Sequence, residues 1–133
     1  MHRPRPTALL AALTALTACA AATALAAGPA AASEQPDPHG VTGTVDAPAG
    51  LNLRSGSPTG TVVGTMPRGT RAHVDCWVPG PSVTGPFGAT TVWDAVDSYT
   101  TPTGDIIDFN GRVLASDAWI DTGGDTSRMV PRC

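Results

Sequence analysis

Lysine is absent from this 133-residue chain, glutamate occurs once, and aromatic residues make up only 5%. Beyond residue 32 the positive charge rests on six arginines, set against ten aspartates and Glu34, a net charge of minus five. An acidic field of this kind excludes nucleic acid, anionic membrane surfaces and phosphate-rich polymers as default partners, and leaves neutral or cationic ligands. Sustained 3.6-residue apolar periods are also missing, because proline and glycine punctuate the chain at short intervals. Without helices to cover an open sheet, short strands bounded by turns predict a small closed barrel, which removes exposed strand edges.

The familiar catalytic patterns are missing as well. There is no G-x-S-x-G, and beyond the first residues the histidines are His39 and His73 alone. Asp121, Thr122 and Gly123 spell D-T-G, but too little chain follows to build the half-barrel an aspartic protease loop requires. His73 and Asp75 share a strand face, yet two ligands make a poor metal site, and no D-x-D-x-D-G calcium loop occurs among the aspartates from Asp94 to Asp125. The expectation is a protein that binds rather than catalyses, without metal or other cofactor.

What is present begins with a leader. His2, Arg3 and Arg5 precede an Ala/Leu/Thr run from Thr7 to Ala27 that exits through small residues to Ala32, the pattern of a secretory signal peptide over residues 1–32. A second option is lipid anchoring through Cys19, which follows Leu16, Thr17 and Ala18. Secretion is the expectation, with no integral membrane span left after processing. Residues 33–40 read as a polar, proline-rich disordered tether, and residues 41–133 as the domain. After processing, Cys76 and Cys133 are an even pair in an oxidising compartment and read as a disulfide.

Val41–Val45 and Thr61–Met66 are strand candidates. The clearest alternation runs from Thr70 to Val78, with Ala72, Val74, Cys76 and Val78 inward and Arg71, His73, Asp75 and Trp77 outward. Pro79, Gly80 and Pro81 are expected to end that strand. Thr90–Val96 is apolar on both phases, so its faces are not assigned. A long loop is expected over Asp97–Asn110, with a short strand at Ile106 and Ile107, and the last strands over Gly111–Leu114 and Ala118–Thr122. The total is five or six short antiparallel strands.

The stretch GLNLRSGSPTGTVVGTMPRGTRAHVDC, Gly50 to Cys76, resembles the bacterial SH3 (SH3b) signature, in which G-L-N-x-R-S-G precedes a variable loop, V-V-G and a Gly-turned hairpin. GATTVWDAV and GRVLASDAWIDTG are similar to elements of small secreted SH3-like proteins of high-GC Gram-positive bacteria, which also carry a cysteine after the hairpin strand and one at the chain end. The segment Ser98–Asn110 is longer than in that pattern, and Trp119 stands where tyrosine is commoner. The resemblance implies an SH3-like barrel over Val41–Cys133, monomeric, recognising cell-wall peptide or an extracellular protein through a groove between loops. The alternative is a stand-alone secreted effector or inhibitor of an exported protein, or a passive structural protein of the envelope.

Candidate ligand contacts are Trp77, Phe87, Tyr99 and Arg54. An outward tryptophan at 77 is either one wall of a groove or a residue packed under the loop carrying Tyr99 and Phe109. Arg54 either presents its donors to a ligand carboxylate or ties loop carbonyls in place, the latter being favoured. Trp93 and Trp119 are expected in the core.

Overall fold

A computed structural model describes residues 36–133. The expected leader, its cleavage point and Cys19 lie outside the described residues. Seven strands are present: β1 (Val41–Val45), β2 (Leu51–Ser55), β3 (Val62–Met66), β4 (Arg71–Gly85), β5 (Gly88–Thr100), β6 (Ile106–Ser116) and β7 (Ile120–Asp121). They form one sheet in the order β3-β2-β6-β5-β4-β1-β7, antiparallel at every pairing. The sheet curls into a half-barrel closed over its own apolar face. Two single-turn 3-10 helices, Asp117–Trp119 and Thr126–Arg128, are the helical elements among the described residues, and no described helix is long and apolar enough to cross a membrane.

The all-β, disulfide-bonded architecture matches the expectation, but three strands are much longer than foreseen. Pro79, Gly80 and Pro81 do not end β4. They are absorbed in a bulge, where the pairing jumps from Pro79 opposite Val92 to Val83 opposite Thr90. A bulge releases the extra residues from the ladder, so the missing proline N–H costs no hydrogen bond. Trp93 fixes the bulge by donating its Nε1–H to the Pro81 carbonyl at 2.9 Å. Gly80 sits so close that an added Cβ would lie 2.6 Å from the Trp93 ring and 2.7 Å from Pro58.

The expected loop over Asp97–Asn110 is mostly the distal half of the β5–β6 hairpin. Only residues 101–105 turn, closed by Thr101 N–H to the Asp105 carbonyl at 2.8 Å and Asp105 N–H to Thr101 Oγ1 at 3.0 Å. Both faces of this arm are partly wet, Ile106 being 71% exposed, so no alternation announces it. The opposite reason hides the faces of Thr90–Val96. Val96 enters the main core, with Val45, Leu53, Met66, Val74 and Val130, whereas Trp93 and Ala95 enter a second cluster with Cys76 and Leu114. A strand buried on both faces has no polar phase.

Within β4, Ala72 and Val74 are buried in the main core as the alternation required, but an irregularity between Val74 and Cys76 changes the phase, so that Cys76 and Val78 enter the second cluster and Trp77 turns toward the main core. Leu51 and Leu53 are buried in β2. Ser116 caps the first 3-10 turn by accepting from Ala118 N–H. Cys76 and Cys133 are disulfide-bonded, with Cα atoms 5.0 Å apart and a separation of 57 positions in sequence.

The N-terminal boundary moves. Part of the expected tether is bound to the domain: Asp37 N–H donates to the Met129 carbonyl at 2.7 Å, and a turn over Asp37–Gly40 is held by Gly40 N–H to the Asp37 carbonyl. The His39 carbonyl accepts from His73 Nε2 at 2.9 Å. Polar composition suggested a solvated tether, but backbone groups can dock whatever the side chains are.

Candidate functional site

The four candidate ligand residues are not brought together. Arg54 is half-buried, and its Nη1 donates to the Gly60 carbonyl at 3.0 Å, tying down the excursion between β2 and β3. Trp77 is half-buried against the main core and is covered by the end of the chain. Its N–H donates to the Pro131 carbonyl, its carbonyl accepts from Cys133 N–H, and the Arg132 guanidinium lies 5.6 Å from its ring centroid. Tyr99 packs on Phe109 with centroids 5.7 Å apart and flanks the same core. Phe87 alone stands out, 48% exposed at the β4–β5 turn.

Two clefts open instead on the sheet where β4 and β5 pair. The first, about 400 Å³, is an apolar groove walled by Trp93 and Trp119, with Pro48, Leu51 and Val83 along it and Arg54 at its border. The second, about 790 Å³, is lined by Phe87, Val92 and Ile120 and by Asp117, Asp121 and Asp125. Ser82 and Val92 line the acidic cleft, while their neighbours Val83 and Trp93 line the apolar groove. Successive residues of a strand point to opposite faces, so the two clefts lie back to back. Trp77 and Tyr99 border neither of them.

Trp93 and Trp119 were expected in the core. Trp93 is 7% exposed and fills the second cluster, while Trp119 is half-buried against the main core, and both border the groove. Hydrophobicity indicated their burial, but only the fold shows which side stays uncovered.

Behind the acidic cleft lies a buried carboxyl pair that the sequence reading missed. Asp94 is fully buried in β5, and both its carboxyl oxygens lack a donor if the group is ionised. Burial, followed by the neighbouring charge of Asp117, pushes the Asp94 carboxyl well above the usual carboxylate range. A proton retained on Asp94 resolves the missing donor, because it turns the contact with Asp117 into a hydrogen bond. Asp117 is raised too, again by burial, but Thr126 and Asp94 hydrogen bonds work against that rise. Thr126 Oγ1 donates to Asp117 Oδ1 at 2.6 Å. The two carboxyls therefore titrate as a coupled pair, with Asp94 the more strongly raised.

His73 places Nδ1 2.7 Å from Asp97 Oδ1 and Nε2 2.9 Å from the His39 carbonyl. Partial burial opposes its charge, but the hydrogen bond and charge of Asp97, with the His39 carbonyl and Asp75 adding to them, raise its pKa above the ordinary value. Both ring nitrogens face acceptors, which an imidazolium satisfies and a neutral ring cannot. Its acid partner is thus Asp97, from the neighbouring strand, rather than Asp75. Asp121 Oδ1 accepts from Gly123 N–H and Thr122 Oγ1 donates to the Gly124 carbonyl, so the D-T-G segment is a closed turn. Among the described residues, no three His, Cys, Asp or Glu side chains converge as metal ligands.

No protein-family model matches the chain, and no solved structure matches it significantly. Among curated proteins it is similar to one named uncharacterized protein YraI, of Bacillus subtilis (strain 168), at 35% identity over 86 residues that cover 64% of this chain and 67% of the other.

Proposed function

We propose that this chain, which belongs to the same family as YraI of Bacillus subtilis, is a secreted, non-catalytic binding module of the SH3-like type that recognises an extended peptide, of the cell wall or of an extracellular protein. The observation that carries the reading is the groove between Trp93 and Trp119. Two indoles bordering an apolar cleft suit a peptide lying extended, because rigid aromatic residues offer contact area with little conformational entropy to lose. Arg54 spends one donor on Gly60 and keeps others at the groove border, where a peptide carboxylate would meet them. Supporting the SH3-like assignment are the Gly50–Cys76 motif and a curled all-β sheet. Supporting export are the leader pattern and a disulfide of the kind that persists in oxidising compartments.

The test is co-sedimentation of the disulfide-intact protein with purified peptidoglycan. The expected result is a pelleted wild type and a Trp119→Ala variant left in solution. A wild type that stays in the supernatant would overturn the wall-peptide reading and leave the extracellular-protein partner.

A further inference from the structure

The tryptophan groove lies where two strands of the sheet part. β2 and β6 pair only at Arg54 opposite Leu114 and Ser55 opposite Val113. Continued by two residues, that antiparallel register would set Asn52 opposite Ser116, yet the ladder stops short and both residues line the groove instead. The main-chain groups of successive strand residues point to alternate edges. Ser55 donates its N–H to the Thr61 carbonyl on the β3 side, so Arg54 and Asn52 turn theirs toward β6. Arg54 meets Leu114 there, whereas the N–H and carbonyl of Asn52 open on the groove with no ladder partner among the described residues. Toward β3, Asn52 faces Thr65 as a non-hydrogen-bonded pair, in which the side chains meet: Thr65 Oγ1 donates to Asn52 Oδ1 at 3.3 Å. An unmatched strand edge is a template for another chain.

Charge decides which part of a chain suits it. Arg54 is the one ionisable side chain along the groove, in a domain of net negative charge, and no carboxylate lines it. Its guanidinium keeps donors beyond the one given to Gly60, and none of the described ion pairs involves it. It also stands where the β2–β6 ladder resumes, so a strand added beside Asn52 can run no further than Arg54.

We infer that the groove takes the carboxyl-terminal end of a peptide, which adds itself as a short strand along the open edge of β2, hydrogen-bonded to the main chain of Asn52, with its terminal carboxylate at Arg54. The inference rests on the groove reading above and narrows it from an extended peptide to a chain end. An amino terminus would bring like charge to the guanidinium. The bound segment runs parallel to β2 and antiparallel to β6. Main-chain pairing gives affinity indifferent to side chains, the carboxylate fixes the register, and Trp93 and Trp119 favour small or apolar residues beside it.

The probe is Nα-acetyl-trialanine with a free carboxyl terminus, titrated into the isotope-labelled, disulfide-intact protein and followed by NMR. Its carboxamide is the neutral control, and acetyl-Ala-Ala-Asp carboxamide carries the charge on a side chain instead. The expected result is saturable shifts at the amides of Asn52 and Ser116, and hydrogen exchange of the Asn52 amide slowed in proportion to occupancy. Both carboxamides should bind about tenfold more weakly or worse, since the charge-assisted hydrogen bonds at the chain end are lost. Arg54→Gln should bind the acid and its carboxamide alike, whereas loss of the Gly60 hydrogen bond by itself would weaken both together and leave their ratio unaltered. No saturable shift at Asn52, unaltered exchange there, equal binding of either carboxamide, or a preference for the acid retained in Arg54→Gln would each overturn the inference. A protein that pellets with peptidoglycan yet treats acid and carboxamide alike keeps the groove reading and loses the chain end. One that prefers the acid but stays in the supernatant keeps this inference and overturns the wall reading.

Discussion

The two clefts share strands but not chemistry. Val83 and Trp93 make one wall apolar, while the adjacent Ser82 and Val92 turn toward three carboxylates. A strand buried on both sides lets neighbouring residues serve unrelated surfaces without any insertion. They also differ in how they are held. The apolar groove is built around β2 and the indole of Trp93, locked by one hydrogen bond to Pro81. The acidic cleft takes much of its lining from residues 117–125, whose continuation is anchored by Val130, Cys133 and the buried Thr126.

That difference is most severely tested by removing the disulfide. Replacing Cys76 and Cys133 by serine should cost about 4 kcal/mol on the chain-entropy model of a loop this long. Thermal unfolding measures the loss. Hydrogen exchange should show the Trp77 and Cys133 amides opening before those of Leu51 and Leu53, so that the acidic side loosens first; uniform loosening of both sides would erase the distinction.

A smaller effect is aimed at the other side. Trp93→Phe keeps most of the ring volume but leaves the Pro81 carbonyl without its donor, and should cost about 2 kcal/mol. Denaturant unfolding reads the stability. Shifts at Ser82 and Val83 would report the loosened bulge, with the amides of Gly123 and Gly124 unchanged.

Asp94→Asn should stabilise the protein. In the wild type the folded state holds a proton that the unfolded chain releases near pH 3.8, so stability is fullest below that pH and declines as pH rises toward the raised folded value. The amide donates to Asp117 without needing a proton. A gain of about 1 kcal/mol at pH 7 is expected, vanishing near pH 3, from melts at both values. An unchanged pH profile would remove the proton on Asp94.

The smallest effect lies outside both clefts. His73 is raised in the folded state, so the stability it lends is complete below about pH 6.5 and is lost as pH rises through its folded value. With its side chain 35% exposed, solvent screening limits this to a few tenths of a kcal/mol. The shifts of His39 and Gly40 amides should titrate with the His73 ring, and His73→Gln should abolish that titration.

Much of the core was legible where a strand has one wet face. Ala72 and Val74 declared their side through alternation, and the two cysteines their bond through their parity. Strand length was not legible where that condition failed: Asp97–Asn110 is at least partly wet on both faces, and Val92–Val96 is dry on both. The role of Arg54 at Gly60 followed from its place among turn residues. The clefts were not visible, because Trp119 and Leu51, or Phe87 and Asp125, are joined only by folding. One local clue existed for the buried pair: Asp94 interrupts the otherwise apolar run Val92–Val96, and a charge there needs a partner or a proton.

The disulfide also has a mechanical consequence. Tension applied between residue 36 and Cys133 passes from Cys133 through the sulfur bridge into Cys76, so the 57-residue loop bears no load. Only the stretch from residue 36 to Cys76 can pay out, roughly 140 Å at full extension. Stretching would strip β1, β2 and β3 away, and with them the part of the tryptophan groove that Pro48, Leu51 and Arg54 supply. Every residue lining the acidic cleft lies inside the unloaded loop. On a chain under pull, the apolar grip is therefore the one that force can release.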